Sequence, residues 1–285
     1  VIIVLLTKLP MGHKHQIILI SDSTGETLDR IFLALKSQFS NFDYTKKEYV
    51  FIRTETQIDE IIKGHAEEEN PIILYTIVET KLAKYISYQC ENKKIPCFSI
   101  LGNLILNFSK LLNQRPNHRP SAQHVLDEEY YRRIEAIQFS MMHDDGMRGE
   151  DVKDADIILL GVSRTSKTPT SIYLANKGYK TLNIPLVREQ NIPAALKEKP
   201  GSFCVIGLSV EAKRLSDIRA NRLEAMKENT ISNYSDFEFI QKEINDSKKL
   251  FKKYNWPVID VTRKSVEETA ASVVRIFDIE NRKKK

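Results

Sequence analysis

The sequence predicts an α/β protein of two domains, each a mainly parallel sheet flanked by helices, the second carrying a phosphate loop. Three observations lead there. The chain has 285 residues, too many for one small core and suited to two domains. Strand and helix signals alternate in both halves, the pattern of parallel sheets covered by helices. Between the halves runs Asn113-Gln114-Arg115-Pro116-Asn117-His118-Arg119-Pro120, a polar, proline-broken stretch and the best linker candidate. The expected division is residues 1–112 for an N-terminal α/β domain, 113–150 for a linker and connecting helix, and 151–285 for a P-loop domain.

The elements follow in order. Residues 16–20 are an apolar run, read as a strand, that stops at Ser21-Asp22-Ser23-Thr24-Gly25. Residues 26–39 place Leu28, Ile31, Phe32 and Leu35 at helical spacing. Residues 49–52 read as a strand and 57–65 as a short helix. Residues 71–78 are β-branched and apolar, as a buried parallel strand requires. Residues 80–91 read as a helix and 96–101 as a strand. A strong helix over 127–142 ends at His143-Asp144-Asp145-Gly146, where Gly146 suits a C-terminal stop. Beyond it the reading is strand 156–160, helix 169–177, strand 180–184, strand 203–208, helix 214–226, long helix 236–254, strand 257–261 and closing helix 265–279. No repeat at solenoid spacing and no low-complexity tract interrupts this order.

Composition excludes several classes. Hydrophobic residues make up 41% and charged residues 28%, an ordinary globular balance. The formal charge of +5 is mild, and the basic residues are spread out except for Arg282-Lys283-Lys284-Lys285. Nucleic-acid binders cluster theirs, so no nucleic-acid partner is expected. Cys90, Cys97 and Cys204 form no CxxC pair, which argues against a disulfide framework and structural zinc and fits a reducing cytoplasm. The start, Val1-Ile2-Ile3-Val4-Leu5-Leu6, is too short to span a bilayer and lacks signal-peptide features. Met11 is an alternative start. No membrane partner is expected. The oligomeric state stays open, a homodimer included.

The sharpest motif lies in the second half. The strand Ile157-Ile158-Leu159-Leu160 runs into Gly161-Val162-Ser163-Arg164-Thr165-Ser166-Lys167-Thr168, and a helix follows with Pro169 near its first position. Backbone N–H groups of such a loop and of the helix start converge on an anion. Lys167 would reach the terminal phosphates and should face solvent, and the Thr168 hydroxyl would ligate Mg²⁺. The GxxxxGK[ST] pattern asks for Gly where Ser166 stands, so the loop departs from the standard Walker A form. The plainer alternative is a Ser/Thr-rich turn capping a helix.

Other candidates carry two readings each. Asp260 ends the strand 257–261 as a Walker B acid does, and could instead cap the turn before the last helix. Residues 21–27 also join a strand to a helix and could bind a second anion, while Ser23 and Glu26 are spaced as a capping box. Asp144 or Asp145, beside His143, could accept the proton of an attacking hydroxyl. Acids at a helix C-terminus oppose the dipole and so ask for another reason to be there.

Several segments together resemble the pyruvate, phosphate dikinase regulatory protein family. They are residues 21–27, Arg133-Ile134-Glu135-Ala136-Ile137 with His143-Asp144-Asp145-Gly146, residues 155–169 with 171–176, and residues 256–262 with Glu267-Glu268-Thr269-Ala270. The loop from Gly161 to Pro169 is the most specific of these and agrees with the family's own, Ser166 included. The resemblance implies a bifunctional enzyme. It phosphorylates a threonine near the catalytic histidine of pyruvate, phosphate dikinase, with ADP as donor, and reverses this with inorganic phosphate, releasing pyrophosphate. A sister group acts on phosphoenolpyruvate synthase. A small-molecule P-loop kinase and a non-catalytic nucleotide sensor remain as other readings, the latter disfavoured by Lys167 and Thr168.

Overall fold

The computed structural model describes residues 14–123, 126–144, 149–186, 192–199, 201–225 and 234–284. The chain forms two compact units that divide at Val125–Leu126.

The first unit runs β1 (His15–Ser21), α1 (Glu26–Lys36), β2 (Tyr44–Tyr49), α2 (Glu55–His65), β3 (Pro71–Thr76), α3 (Thr80–Asn92), β4 (Cys97–Ser99) and α4 (Gly102–Leu112). The sheet order is β2-β1-β3-β4 and every pairing is parallel. Alternation along β1 explains why its apolar run is unbroken. Ile18 and Ile20 pack against Ile58, Ile62, Leu82 and Ile86 of α2 and α3. Ile17 and Leu19 pack on the opposite face against Leu28 and Phe32 of α1. A strand covered on both faces needs apolar residues at every position.

The second unit opens with α5 (Glu128–Met142) and a 3-10 turn (Gly149–Asp154). It continues β5 (Ile157–Gly161), α6 (Lys167–Ala175), β6 (Thr181–Pro185), α7 (Ala194–Glu198), β7 (Val205–Ser209), α8 (Ala212–Ala225), α9 (Phe237–Lys253), β8 (Val258–Asp260) and α10 (Val266–Lys284). Its sheet order, β6-β5-β7-β8, is again all parallel. Ile157 and Leu159 belong to one core layer with Leu174, Leu215, Ile240 and Val273, while Ile158 and Leu160 join Leu196, Phe251 and Trp256 in the other. Both sheets therefore match the expected fold class.

Four differences from the sequence reading have clear causes. The second strand is Tyr44–Tyr49, not residues 49–52, because it is an edge strand whose centre, Thr45-Lys46-Lys47-Glu48, is charged and exposed. Helix α4 went unread, since it has no buried residue and its Leu104, Leu106, Phe108 and Leu111 are exposed. The five-residue α7 and the 3-10 turn were also unread, being too short for periodicity to register. The linker candidate folds onto the first unit, where His118 Nδ1 donates to the Val78 carbonyl at 2.7 Å and Ser121 Oγ donates to Ser23 Oγ at 3.0 Å. Helix α5 packs within the second unit, where its Ser140 Oγ accepts from Thr181 N at 3.1 Å.

Candidate functional site

In each unit the first strand is flanked by the strands that follow it in sequence, so the chain winds away from it in both directions. Open α/β sheets bind ligands at the carboxyl end of such a strand. In the second unit that position belongs to the loop after β5, residues 162–166.

The loop's shape follows from its residues. Gly161 has no room for a side chain: a Cβ there would lie 2.6 Å from Thr165 Oγ1 and 2.8 Å from the Leu208 carbonyl oxygen. Thr165 is buried and donates to the Val162 carbonyl at 2.9 Å, closing the turn. Arg164 and Ser166 both adopt left-handed backbone conformations, with φ of 72° and 60°. Ser166 thus takes the conformation for which glycine is the ordinary choice, at a cost of about 1–2 kcal/mol. Ser163, Arg164 and Ser166 are exposed at the loop's rim.

Helix α6 begins at Lys167 with Ser166 as N-cap and no side-chain cap bond. Pro169 is therefore its third residue rather than its first, still within the turn whose N–H groups have no helical partner. Lys167 does not face solvent as expected. Only 5% of it is exposed, and its Nζ donates to the Val162 carbonyl at 3.0 Å. The four-carbon stem folds under the loop and delivers the ammonium to its inner side.

Thr168, half-buried, meets one of the two predicted acids. Its Oγ1 donates to Asp144 Oδ1 at 3.0 Å. Asn183, in the middle of β6, donates from Nδ2 to Thr168 Oγ1 at 3.0 Å and also to Asp144 Oδ1. Asp145 and Gly146 lie outside the described residues. The His143 ring stacks on Phe139 at 4.1 Å, and its Nδ1 donates to the Phe139 carbonyl at 2.7 Å.

Asp260 is not brought to this cluster. Strand β8 is separated from β5 by β7, and Asp260 Oδ1 accepts from Thr262 N at 2.9 Å and Thr262 Oγ1 at 2.5 Å. The Thr262 hydroxyl and amide hold its carboxyl below the usual range. This is the turn-capping arrangement.

Two residues that the sequence reading missed hold the loop from behind. Arg219 of α8 is 1% exposed, and its guanidinium donates to the Ser163 carbonyl at 3.2 Å, the Tyr234 carbonyl at 3.0 Å and Glu243 of α9 at 2.8 Å. It also lies 4.6 Å from the centre of the Tyr234 ring. Tyr234 Oη sits 3.3 Å from Ser163 Oγ and 3.3 Å from Arg164 Nε. Burial pushes its hydroxyl upward, but the bonds from Ser163 and Arg164 and the positive charges of Arg164 and Arg219 outweigh it and bring it below its ordinary pKa. Asn183, a carboxamide inside a buried strand, could have been flagged from sequence. Arg219 and Tyr234 reach the loop across more than 50 residues and carry no local signal.

The loop after β1 is a second strand-to-helix junction. Gly25 (φ 82°) is the N-cap of α1 and no side chain caps it, so the capping box of Ser23 and Glu26 does not form. The left-handed turn at Gly25 puts the N-cap two residues after Ser23, and a Cβ at Gly25 would lie 2.9 Å from Val50 Cγ1. Ser23 instead accepts from Ser121, and Ser21 Oγ accepts from Thr76 Oγ1 at 3.1 Å. Asp22 is buried, accepts from Val78 N at 2.8 Å, and receives Arg53 Nε on its carbonyl at 3.3 Å. Burial raises its carboxyl above the ordinary range, against the lowering by the Val78 amide and Arg53.

Among the described residues no helix is long and apolar enough to cross a membrane. The sequence profile described as Kinase/pyrophosphorylase matches residues 17–274. A Pelagibacter ubique (strain HTCC1062) protein named "Putative pyruvate, phosphate dikinase regulatory protein" is 64% identical over 269 residues, covering 94% of this chain and 98% of its own. Proteins of the same name from Chelativorans sp. (strain BNC1) and Bartonella bacilliformis are 44% and 42% identical, over 93% and 91% of this chain and 95% and 92% of theirs. With the profile spanning most of the sequence and relatives aligned nearly end to end, the chain belongs to the kinase/pyrophosphorylase family.

Proposed function

We propose that this protein is a bifunctional ADP-dependent protein threonine kinase and phosphate-dependent phosphorylase that switches pyruvate, phosphate dikinase off and on. The observation that carries the reading is the junction at the end of β5. A loop with two left-handed residues delivers the start of α6, the Lys167 ammonium and the Thr168 hydroxyl to the switch point of a parallel sheet. The relatives' names supply the target, and the resemblance supplies ADP and inorganic phosphate.

The chemistry asked of the residues is modest. In the kinase direction a threonine hydroxyl attacks the β-phosphate of ADP, the P–O bond to the α-phosphate breaks, and AMP leaves. In the other direction inorganic phosphate attacks the phosphothreonine, giving pyrophosphate and the free hydroxyl. Gly161, Val162, Ser163, Arg164, Thr165, Ser166, Lys167 and Thr168 would cradle the end of ADP or inorganic phosphate. Lys167 neutralises charge on the phosphoryl group in both transition states. A carboxylate of the Asp144–Asp145 pair takes the threonine proton in one direction and returns it in the other. Mg²⁺ bound with the nucleotide would add charge neutralisation at the same phosphates.

The test is to mix the protein with purified dikinase, ADP and Mg²⁺ and follow phosphate onto the target and AMP into solution. Phosphothreonine on the dikinase, removed by inorganic phosphate with release of pyrophosphate, supports the reading. Transfer to phosphoenolpyruvate synthase alone would move the target. AMP formed with a metabolite and neither protein would make it a small-molecule kinase.

A further inference from the structure

The sequence offered Asp260 as the acid beside the metal, and the structure leaves it capping its own turn. A different group stands beside Thr168. Its hydroxyl donates to Asp144 Oδ1 and accepts from Asn183 Nδ2, each at 3.0 Å, and the same Asn183 nitrogen donates to Asp144 Oδ1. Asn183 is 0% exposed, and its amide oxygen has no hydrogen-bond partner. A carboxamide at the centre of an apolar strand, with an unsatisfied oxygen, is costly where packing alone is needed. It is explained when its task is to fix the two oxygens it bridges.

We propose that Thr168 and Asp144, held in register by Asn183, form the face that takes the divalent cation accompanying the nucleotide's phosphates, and that Asp260 has no part in it. The proposal rests on the nucleotide reading above. Mg²⁺ is usually bound by one or two protein oxygens, substrate phosphates and retained waters, not by an all-protein cage. In phosphate-loop enzymes those protein oxygens are the loop hydroxyl and an acid beside it. Here the hydroxyl and acid are already joined by a hydrogen bond, at the start of α6 where the phosphates would sit. Among the described residues no group of three or more His, Cys, Asp or Glu could hold a metal alone. One hydroxyl and one carboxylate leave most of the cation's shell to phosphate oxygens and water, so its affinity depends on the nucleotide.

The experiment titrates Mn²⁺ into the full chain and reads free Mn²⁺ by electron paramagnetic resonance, with and without ADP. ADP binding in EDTA is measured separately by equilibrium dialysis. In the wild type, ADP should tighten Mn²⁺ binding. Asp144→Asn and Thr168→Val should lose that ADP-dependent binding by about 10- to 100-fold, the scale for losing a group that holds or orients a metal. Thr168→Ser, which retains the hydroxyl, and Asp260→Asn should keep it, and Asp260→Asn should also leave metal-free ADP binding unchanged. If Asp144→Asn keeps the ADP-dependent binding, or Asp260→Asn loses it, the proposal is overturned while the nucleotide site stands. Wild-type protein that binds no ADP in either condition overturns the nucleotide reading and the proposal together. Should Asp144→Asn not fold, the Thr168→Val and Thr168→Ser pair decides: equal Mn²⁺ binding in both overturns the assignment.

Discussion

Replacing Arg219 by Met should destabilise the second unit by about 3 kcal/mol. The side chain is 1% exposed and holds two carbonyls, Ser163 and Tyr234, that belong to different segments of chain. A hydrogen bond from a charged donor contributes about 1.5–3 kcal/mol, so the two together contribute about 3–6. The cation over the Tyr234 ring adds about 1 kcal/mol. Glu243 is 26% exposed and stays partly hydrated after losing its partner, which limits that loss. Against these, Arg219 Nε is buried without a partner, and its removal returns about 1–3 kcal/mol. The balance falls at the low end of the 3–5 kcal/mol, roughly, seen when one partner of a buried pair is removed. Met keeps the volume of the stem, so the cavity contribution is small. Urea unfolding at neutral pH measures the loss, and with a slope of about 2 kcal/mol per molar the midpoint should fall by about 1.5 M. Arg219→Lys should recover only part, because one ammonium lacks the planar fork that reaches Ser163, Tyr234 and Glu243 together. A loss under about 1 kcal/mol for the Met variant, or a Lys variant equal to wild type, would refute the idea that Arg219 fastens the loop.

Gly161→Ala puts a Cβ 2.6 Å from Thr165 Oγ1 and 2.8 Å from a strand carbonyl, so it should cost about 1–3 kcal/mol by chemical denaturation and disorder the turn. An alanine variant as stable as wild type shows that the loop relaxes freely. Lys167→Met should abolish both kinase and phosphorylase activity while costing only about 1 kcal/mol of stability, since Thr165 still donates to the Val162 carbonyl. Ser23→Ala should keep both activities, and loss of one direction alone in either variant breaks the single-site reading. Asp22→Asn keeps an acceptor for Val78 N but carries no charge. Because burial raises the Asp22 carboxyl, the folded state holds its proton more tightly than the unfolded chain does. The ionised form is therefore a cost above the raised value, and that cost fades as pH falls toward the ordinary carboxylate range near pH 4. The Asn variant should gain most over wild type at neutral pH, and a gain that does not vary with pH in urea melts contradicts this.

The two-domain parallel architecture was readable because buried strands such as Ile157-Ile158-Leu159-Leu160 must be apolar at every position, a requirement that stays local. The strand-to-helix junction after β5 was readable for a related reason: a strand, a Gly161 that tolerates no Cβ, and a Lys-Thr pair at a helix start lie within a dozen residues. The edge strand β2 escaped, since charged residues that protect an edge erase the apolar signal. The same held for the exposed helix α4, whose apolar residues do not mark one buried face. Which acid stands beside Thr168 was beyond the sequence. Asp260 had the better local context, at a strand end, but strand order puts β7 between it and the loop, while the end of α5 and the middle of β6 bring Asp144 and Asn183 to the hydroxyl. The burial of Lys167 and the grip of Arg219 on Ser163 were likewise decided by tertiary packing, because a long side chain takes its direction from the acceptors around it and not from its neighbours in the chain.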